Sequence, residues 1–287
     1  MAGAESRRRL WALIGPPALW LGIFLVIPLF LLCAYSFRTG MSGALLRDWV
    51  PTLDNYRILF ATPTFLELLA VSVGIALVVA LTATVLAYPV AYYVVFRARA
   101  RAGIYIVLLL IPFWISYLLR VMAWKLILGS NGVVNALLLW LGLIHEPISI
   151  FFYSRFAVVV TLIYVWTPFV TLPILATLYR IDRSVLEAAA SLGATPAQRF
   201  WRVTLHLSRP GLIAAAVMVF IPTVGEYVTP LLVGGSSGAM YGNIIQDFFG
   251  RSANWPLGAA LAVVMLAGTL VLVAATSRVS RVEQYIG

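Results

Sequence analysis

Cysteine is almost missing. Among 287 residues only Cys33 occurs, inside an apolar run, so no internal disulfide can form. Histidine is nearly as scarce. His145 and His206 stand apart, and no Cys/His cluster carries metal-ligand spacing, so no metal site is expected. Acidic residues number ten, too few and too scattered to pair into general acid–base chemistry. No Gly-x-x-x-x-Gly-Lys-Ser/Thr loop is present, so the chain cannot hydrolyse ATP alone and is not expected to be an enzyme. Charge of either sign is short as well. It makes up 10% of the residues, against about a quarter in an ordinary soluble domain.

What fills the chain instead is apolar: 62% of it is hydrophobic. The apolar runs are continuous rather than alternating, which favours membrane helices over a barrel. The length accommodates about six spans of roughly 20 residues each. The fold expected is all-α: a polytopic membrane protein with a single transmembrane domain over 1–287 and no low-complexity tract. The runs cover 11–34, 65–96, 104–128, 156–179, 211–233 and 256–276. The first is too long for a signal peptide and lacks a small-residue cleavage site, so it reads as a retained span. The stretch 35–64 reads as a mixed loop. The apolar piece 133–143 is too short to cross and reads as a helix near the outer surface. Pro168 and Pro173 are expected to break the fourth run, and Pro222 and Pro230 the fifth. Broken helices expose backbone that must line a cavity or be satisfied by neighbours, so these two spans are the expected translocation path.

The formal charge is +10. In a soluble protein that would suggest nucleic acid, but here arginines cluster at the ends of the runs, where cations anchor spans, and no nucleic-acid partner is expected. With the amino terminus inside, the inner segments hold Arg7, Arg8, Arg9, Arg97, Arg99, Arg101, Arg180, Arg183, Arg199, Arg202, Arg209, Arg278 and Arg281. The outer side and outer half-spans hold Arg38, Arg47, Arg57, Arg120, Lys125, Arg155 and Arg251. Thirteen against seven places both termini in the cytoplasm.

One polar island interrupts this pattern, at 183–206. Ser184 is suited to cap a short helix, with Glu187 reaching back in a capping box. Ala188, Ala189 and Ala190 favour helix, and Gly193 ends it by adopting positive φ without steric cost. Thr195-Pro196 starts a second helix, with Arg199 and Arg202 beside an apolar face of Phe200, Trp201, Val203 and Leu205.

The order Glu187-Ala188-Ala189, three residues, Gly193, nine residues, Val203, any residue, Leu205 resembles the cytoplasmic coupling motif of binding-protein-dependent ABC importer permeases. His206 stands where that family usually has Pro. Pro112-Phe113-Trp114-Ile115-Ser116, Asn131-Gly132-Val133-Val134-Asn135, 225–235 and 255–260 look like segments of the spermidine/putrescine permease branch. The resemblance implies a type I ABC importer permease fold in a bacterial inner membrane. It also implies a second permease chain making a heterodimer, two ATPase subunits, and a periplasmic or lipid-anchored solute-binding protein. ATP and Mg would reside on the ATPase subunits, with no cofactor in this chain. It implies ATPase coupling through Glu187, Ala188, Ala189, Gly193, Arg199 and Arg202, and a polyamine as the transported solute by alternating access.

The residues fit a cationic solute in one respect. Glu226 lies within an apolar run, where a carboxylate is costly and must face a cavity or a partner. It either holds an ammonium group or pairs with Arg120 or Lys125, or lies near the outer surface. Trp114, Tyr117, Trp124, Tyr164, Trp166 and Tyr227 are candidate aromatic walls for the path, since ring faces attract ammonium ions. Arg120 and Lys125 would repel a polycation, so a zwitterionic or anionic solute stands as the alternative. A self-sufficient carrier or channel would call for an inverted repeat or several intramembrane acids, and neither is found.

Overall fold

The computed structural model describes residues 13–39 and 50–286. Arg7, Arg8, Arg9, Arg47 and Asp48 lie outside the described residues, as do the side chains of Arg99, Arg278 and Arg281. Among the described residues the regular structure is helical, and the one extended pairing is a bridge between Arg38 and Pro51. Six helical stretches among the described residues are long and apolar enough to cross a bilayer: Leu13–Ser36, Pro63–Phe96, Tyr117–Trp140, Arg155–Tyr179, Pro196–Val224 and Trp255–Ala275. They are called the first to sixth spans below.

The chain divides into two compact units: Met1–Leu66 with Ile244–Ala267, and Glu67–Asn243 with Gly268–Gly287. Within the first unit, Tyr35 lies 6.4 Å from Trp255 between ring centroids, and Trp255 stands edge-on to Phe249 at 6.3 Å. The stretch 35–64 is more ordered than a mixed loop. It contains the helix Asp54–Ala61, and the buried Asn55 donates to the carbonyls of Ser36 and Arg38, both at 2.9 Å. Those two bonds tie the helix to the end of the first span.

Within the second unit, the second, fourth and fifth spans supply most of the buried residues. Ala76, Ala80, Ala83, Ala87 and Ala91 recur at helical spacing on one face of the second span and are all buried. Small side chains let helix backbones approach closely, the main source of packing where lipid is as apolar as the protein. Gly211 of the fifth span meets Thr177 of the fourth. A Cβ there would lie 2.6 Å from the Thr177 Cβ, so only glycine permits the contact. The Tyr88 hydroxyl bonds the Ser208 hydroxyl at 2.9 Å, giving the second and fifth spans a buried polar link.

The prolines behave differently from the sequence expectation. Pro168 and Pro173 sit inside a continuous helix, Arg155–Tyr179, and Pro210 and Pro222 sit inside Leu205–Val224. The fourth span is therefore not broken. The hydroxyls of Thr167, Thr171 and Thr177 bond back to the carbonyls of Ile163, Thr167 and Pro173, adding donors on the turns around its two prolines. The break in the fifth run comes instead at Gly225, after Val224, and Pro230 opens the short π-helical turn Pro230–Gly234. The third run, read as unbroken over 104–128, is interrupted. Ala102–Leu110 gives way to a 3-10 turn, Ile111–Trp114, and Ile115 is extended before Tyr117–Leu128 begins. Pro112 removes a donor there, and no neighbouring hydroxyl replaces it among the described residues. The apolar piece past the Gly129–Gly132 turn is helical over Val133–Trp140.

Candidate functional site

Two places carry polar chemistry. One is the break after the fifth span. Glu226 is half-buried there, and its Oε1 accepts the backbone N–H of Val228 at 2.8 Å and of Thr229 at 3.2 Å. The carboxylate thus caps the turn that follows. Such caps place negative charge where backbone donors would otherwise stand unpaired. The buried Thr229 hydroxyl bonds the Tyr117 hydroxyl at 2.6 Å, and the Glu226 carboxyl stands beside that same hydroxyl. Gly242 packs against the break. A Cβ on it would lie 2.7 Å from the carbonyl oxygens of both Gly225 and Glu226.

Arg120 approaches this cluster from the third span. It is 7% exposed, its guanidinium carbon lies 5.9 Å from the centroid of the Tyr117 ring, and Nη1 donates to the Val165 carbonyl at 3.4 Å. That carbonyl lies in the turn before Pro168, where the proline ring disturbs the helical bonding. The Arg120 Nε is buried and has no partner among the described residues. Glu226 forms no ion pair with Arg120 or Lys125; the pair found among the described residues is Arg57 with Asp54, exposed at 3.4 Å.

The aromatic candidates divide. Tyr117 joins Glu226. Trp124 and Tyr164 pair with each other at 5.4 Å, and Trp166 stands edge-on to Phe169 at 5.3 Å. Trp114 is 82% exposed and lacks a ring partner among the described residues. Tyr227 is exposed beside Glu226, and its carbonyl accepts Asn243 Nδ2 at 2.9 Å.

The second place is the polar island. Its first helix is Arg183–Ser191, and the cap is Asp182 rather than Ser184: Asp182 Oδ1 accepts the Ser184 N–H at 3.0 Å. The Asp182 carboxylate, two residues before Ser184, takes the Ser184 N–H that Glu187 was expected to accept. Glu187 does not reach back; it is exposed, and its carbonyl accepts the Ser191 hydroxyl at 3.1 Å. Backbone and side-chain hydrogen bonds from Ser184 hold the Asp182 carboxyl below its usual range. The helix closes as expected, with Gly193 at φ +84°. Gly193 N–H donates to Ala190 at 2.9 Å and Ala194 N–H to Ala189 at 3.0 Å, the paired bonds of a Schellman ending.

Thr195 opens the second helix in a full capping box. Its hydroxyl accepts the Gln198 N–H at 3.3 Å, and Gln198 Oε1 accepts the Thr195 N–H at 2.8 Å. A π-helical turn over Arg199–Thr204 joins this start directly to the fifth span, so no connector separates island and membrane. The helix passes through His206 unbroken. Phe200 anchors the junction, edge-on to Tyr88 at 5.8 Å and to Tyr92 at 5.4 Å. Arg199 is half-buried, its Nε without a partner among the described residues, and Arg202 is exposed. Ala188 is exposed and Ala189 half-exposed, and Leu192 is 89% exposed between the two helices. Asp182, Gln198 and Thr229 were not singled out by sequence reasoning. An acid before a predicted helix and Gln three residues after Thr are cap signals that find the first two. Nothing local marks Thr229.

Residues 6–282 match the model of the family described as binding-protein-dependent transport system inner membrane component. The chain is 35% identical over 246 residues to the spermidine/putrescine transport system permease protein PotB of Escherichia coli K12, covering 86% of this chain and 88% of that one. PotB of Haemophilus influenzae is 33% identical over 244 residues, covering 85% and 84%. Among solved structures, a bacterial ABC transporter involved in the import of the acidic polysaccharide alginate superposes with a TM-score of 0.70. It covers 98% of this chain and 97% of that chain at 19% identity, a likeness of fold alone.

Proposed function

The chain belongs to the binding-protein-dependent transport system inner membrane component family, as a permease of the type I ABC importer class in its polyamine branch, and from that premise we propose that it carries a polyamine inward. It is a multi-pass inner-membrane protein, and the ATPase of such an importer is not in this chain. The proposed partners are a second, different permease chain, two ATPase subunits holding ATP and Mg, and an external solute-binding protein. Both termini are proposed to face the cytoplasm.

The observation that supports coupling is the island itself. Two capped helices meet at a left-handed Gly193, and Leu192, Val185 and Trp201 are exposed on an otherwise polar element. Apolar side chains held outward on a rigid hairpin suit a groove on another protein. Arg199 and Arg202 would face acids on that surface, while Glu187, Ala188 and Ala189 line the helix that enters it. Because the second helix is continuous with the fifth span, a push on the hairpin moves the span and the break at Glu226 beyond it. This is the proposed route from ATP hydrolysis to alternating access.

At the break, Glu226 offers its second carboxylate oxygen, with Tyr117 and Tyr227 beside it, to a primary or secondary ammonium. The test is ATPase activity of the complete complex in nanodiscs, with the binding protein loaded in turn with spermidine, putrescine, an amino acid and an aminophosphonate. Stimulation by a polyamine, reduced at least about tenfold by Glu226→Gln, is expected for a charge-assisted contact worth about 1.5–3 kcal/mol. Stimulation by the zwitterions alone would keep the importer class and overturn the polyamine reading.

A further inference from the structure

We propose that Arg120 is a tethered competitor for the ammonium site at Glu226, held short of an ion pair in this structure and able to swing onto the carboxylate in competition with an arriving cation. The inference rests on the ammonium site proposed above. Arg120 is buried to more than nine-tenths, yet its fixed bonds are few: one long contact to the Val165 carbonyl, and the face of the Tyr117 ring. Its Nε has no partner, and no carboxylate lies within ion-pair distance among the described residues. A guanidinium withdrawn from water is stable only when paired and hydrogen-bonded. The acid available to it is Glu226. Tyr117 lies between them: its ring faces the guanidinium at 5.9 Å, and its hydroxyl bonds Thr229, whose N–H is held by Glu226.

The geometry makes the exchange short. The guanidinium already stands over the ring face that an ammonium would seek, and arginine is long enough to slide along that face. Glu226 spends only Oε1 on its cap bonds to Val228 and Thr229. One cation, Arg120's or the solute's, is left the other oxygen. The two cations would not share one carboxylate oxygen, because like charges brought that close repel in a poorly screened interior. Arg120 therefore lowers the affinity for a polycation by competing for the carboxylate. It acts through Glu226 and the ring, as a specificity-determining residue.

The experiment is equilibrium binding of radiolabelled spermidine to the assembled permease–ATPase complex in nanodiscs, with the binding protein left out so that only the membrane site is read. Arg120→Gln, which keeps a donor for the Val165 carbonyl, and Arg120→Met should both bind spermidine at least about fivefold tighter, the low end of ordinary coupling between ligands. Arg120→Lys, which keeps the charge, should stay near wild type. The gain should vanish when Glu226→Gln is added, since the two residues then no longer share a ligand. Unchanged or weaker binding in Arg120→Gln, with wild type binding normally, overturns the proposal and leaves the polyamine site standing. Absence of spermidine binding in wild type, with spermidine-loaded binding protein also failing to stimulate the ATPase, overturns both.

Discussion

Asp182 shows how one side chain decides a local structure. It caps the helix Arg183–Ser191 by accepting the Ser184 N–H, and that bond depresses its carboxyl pKa. A group with a lowered folded pKa contributes its stabilisation above its unfolded value, near 3.9 for Asp, and loses it as pH falls through the folded value. Amide exchange over 183–191, corrected for intrinsic rate, should therefore speed up only at strongly acid pH. Asp182→Asn keeps an acceptor and should abolish that acid-side loosening. An identical pH profile in the two proteins would remove the carboxylate from the account. At the same scale, Glu226 is legible in the sequence as an anomaly, an acid in an apolar run, but its partners are not. The bonds go to backbone N–H groups two and three residues on, which no residue-type pattern reveals, and to the neighbourhood of Tyr117, 109 positions away in the chain.

Among the elements, the hairpin of the island was the most readable. Alanines, Gly193 and Thr195-Pro196 act through local backbone preferences, so their consequences follow without knowledge of distant contacts. Gly193 makes this testable. A Cβ there meets nothing within 4 Å, so the cost of substitution is the left-handed backbone alone, about 1–2 kcal/mol for a residue with a Cβ. Gly193→Val should insert normally yet lose coupled uptake in proteoliposomes, while Gly193→Asn, which tolerates positive φ, should retain more of it. Equal transport by both variants would show that the turn's shape does not matter. The proline-bearing spans were the least readable. Four prolines predict breaks by local rule, but Pro168, Pro173 and Pro222 are absorbed into continuous helices. Back-bonding threonines and the Arg120 contact compensate the fourth span. Such compensation comes from side-chain geometry and from a separate span, and it is invisible to a rule that reads one residue and its neighbours.

For the whole molecule, the arrangement across the membrane carries the remaining prediction. The bias of arginines toward one side of the runs predicts that both termini and the island face the cytoplasm. Reporter fusions after Ala98, after Leu192 and at the carboxyl terminus should be active only for a cytoplasmic reporter. Fusions after Thr62 and after Ser252 should be active only for a periplasmic one. A periplasmic signal after Leu192 would remove the island from any ATPase. By itself the sequence determined the membrane character, the span count, the orientation bias and the helix-Gly193-helix hairpin of the island. Each of these depends on composition, run length or bonds between near neighbours. Only the tertiary structure decided which helices stay whole, that the second helix of the island is the start of the fifth span, and that Tyr117 brings Arg120 and Thr229 to the neighbourhood of Glu226. Those outcomes depend on contacts between residues far apart in the chain, where one buried hydrogen bond or one glycine fixes the approach of two helices.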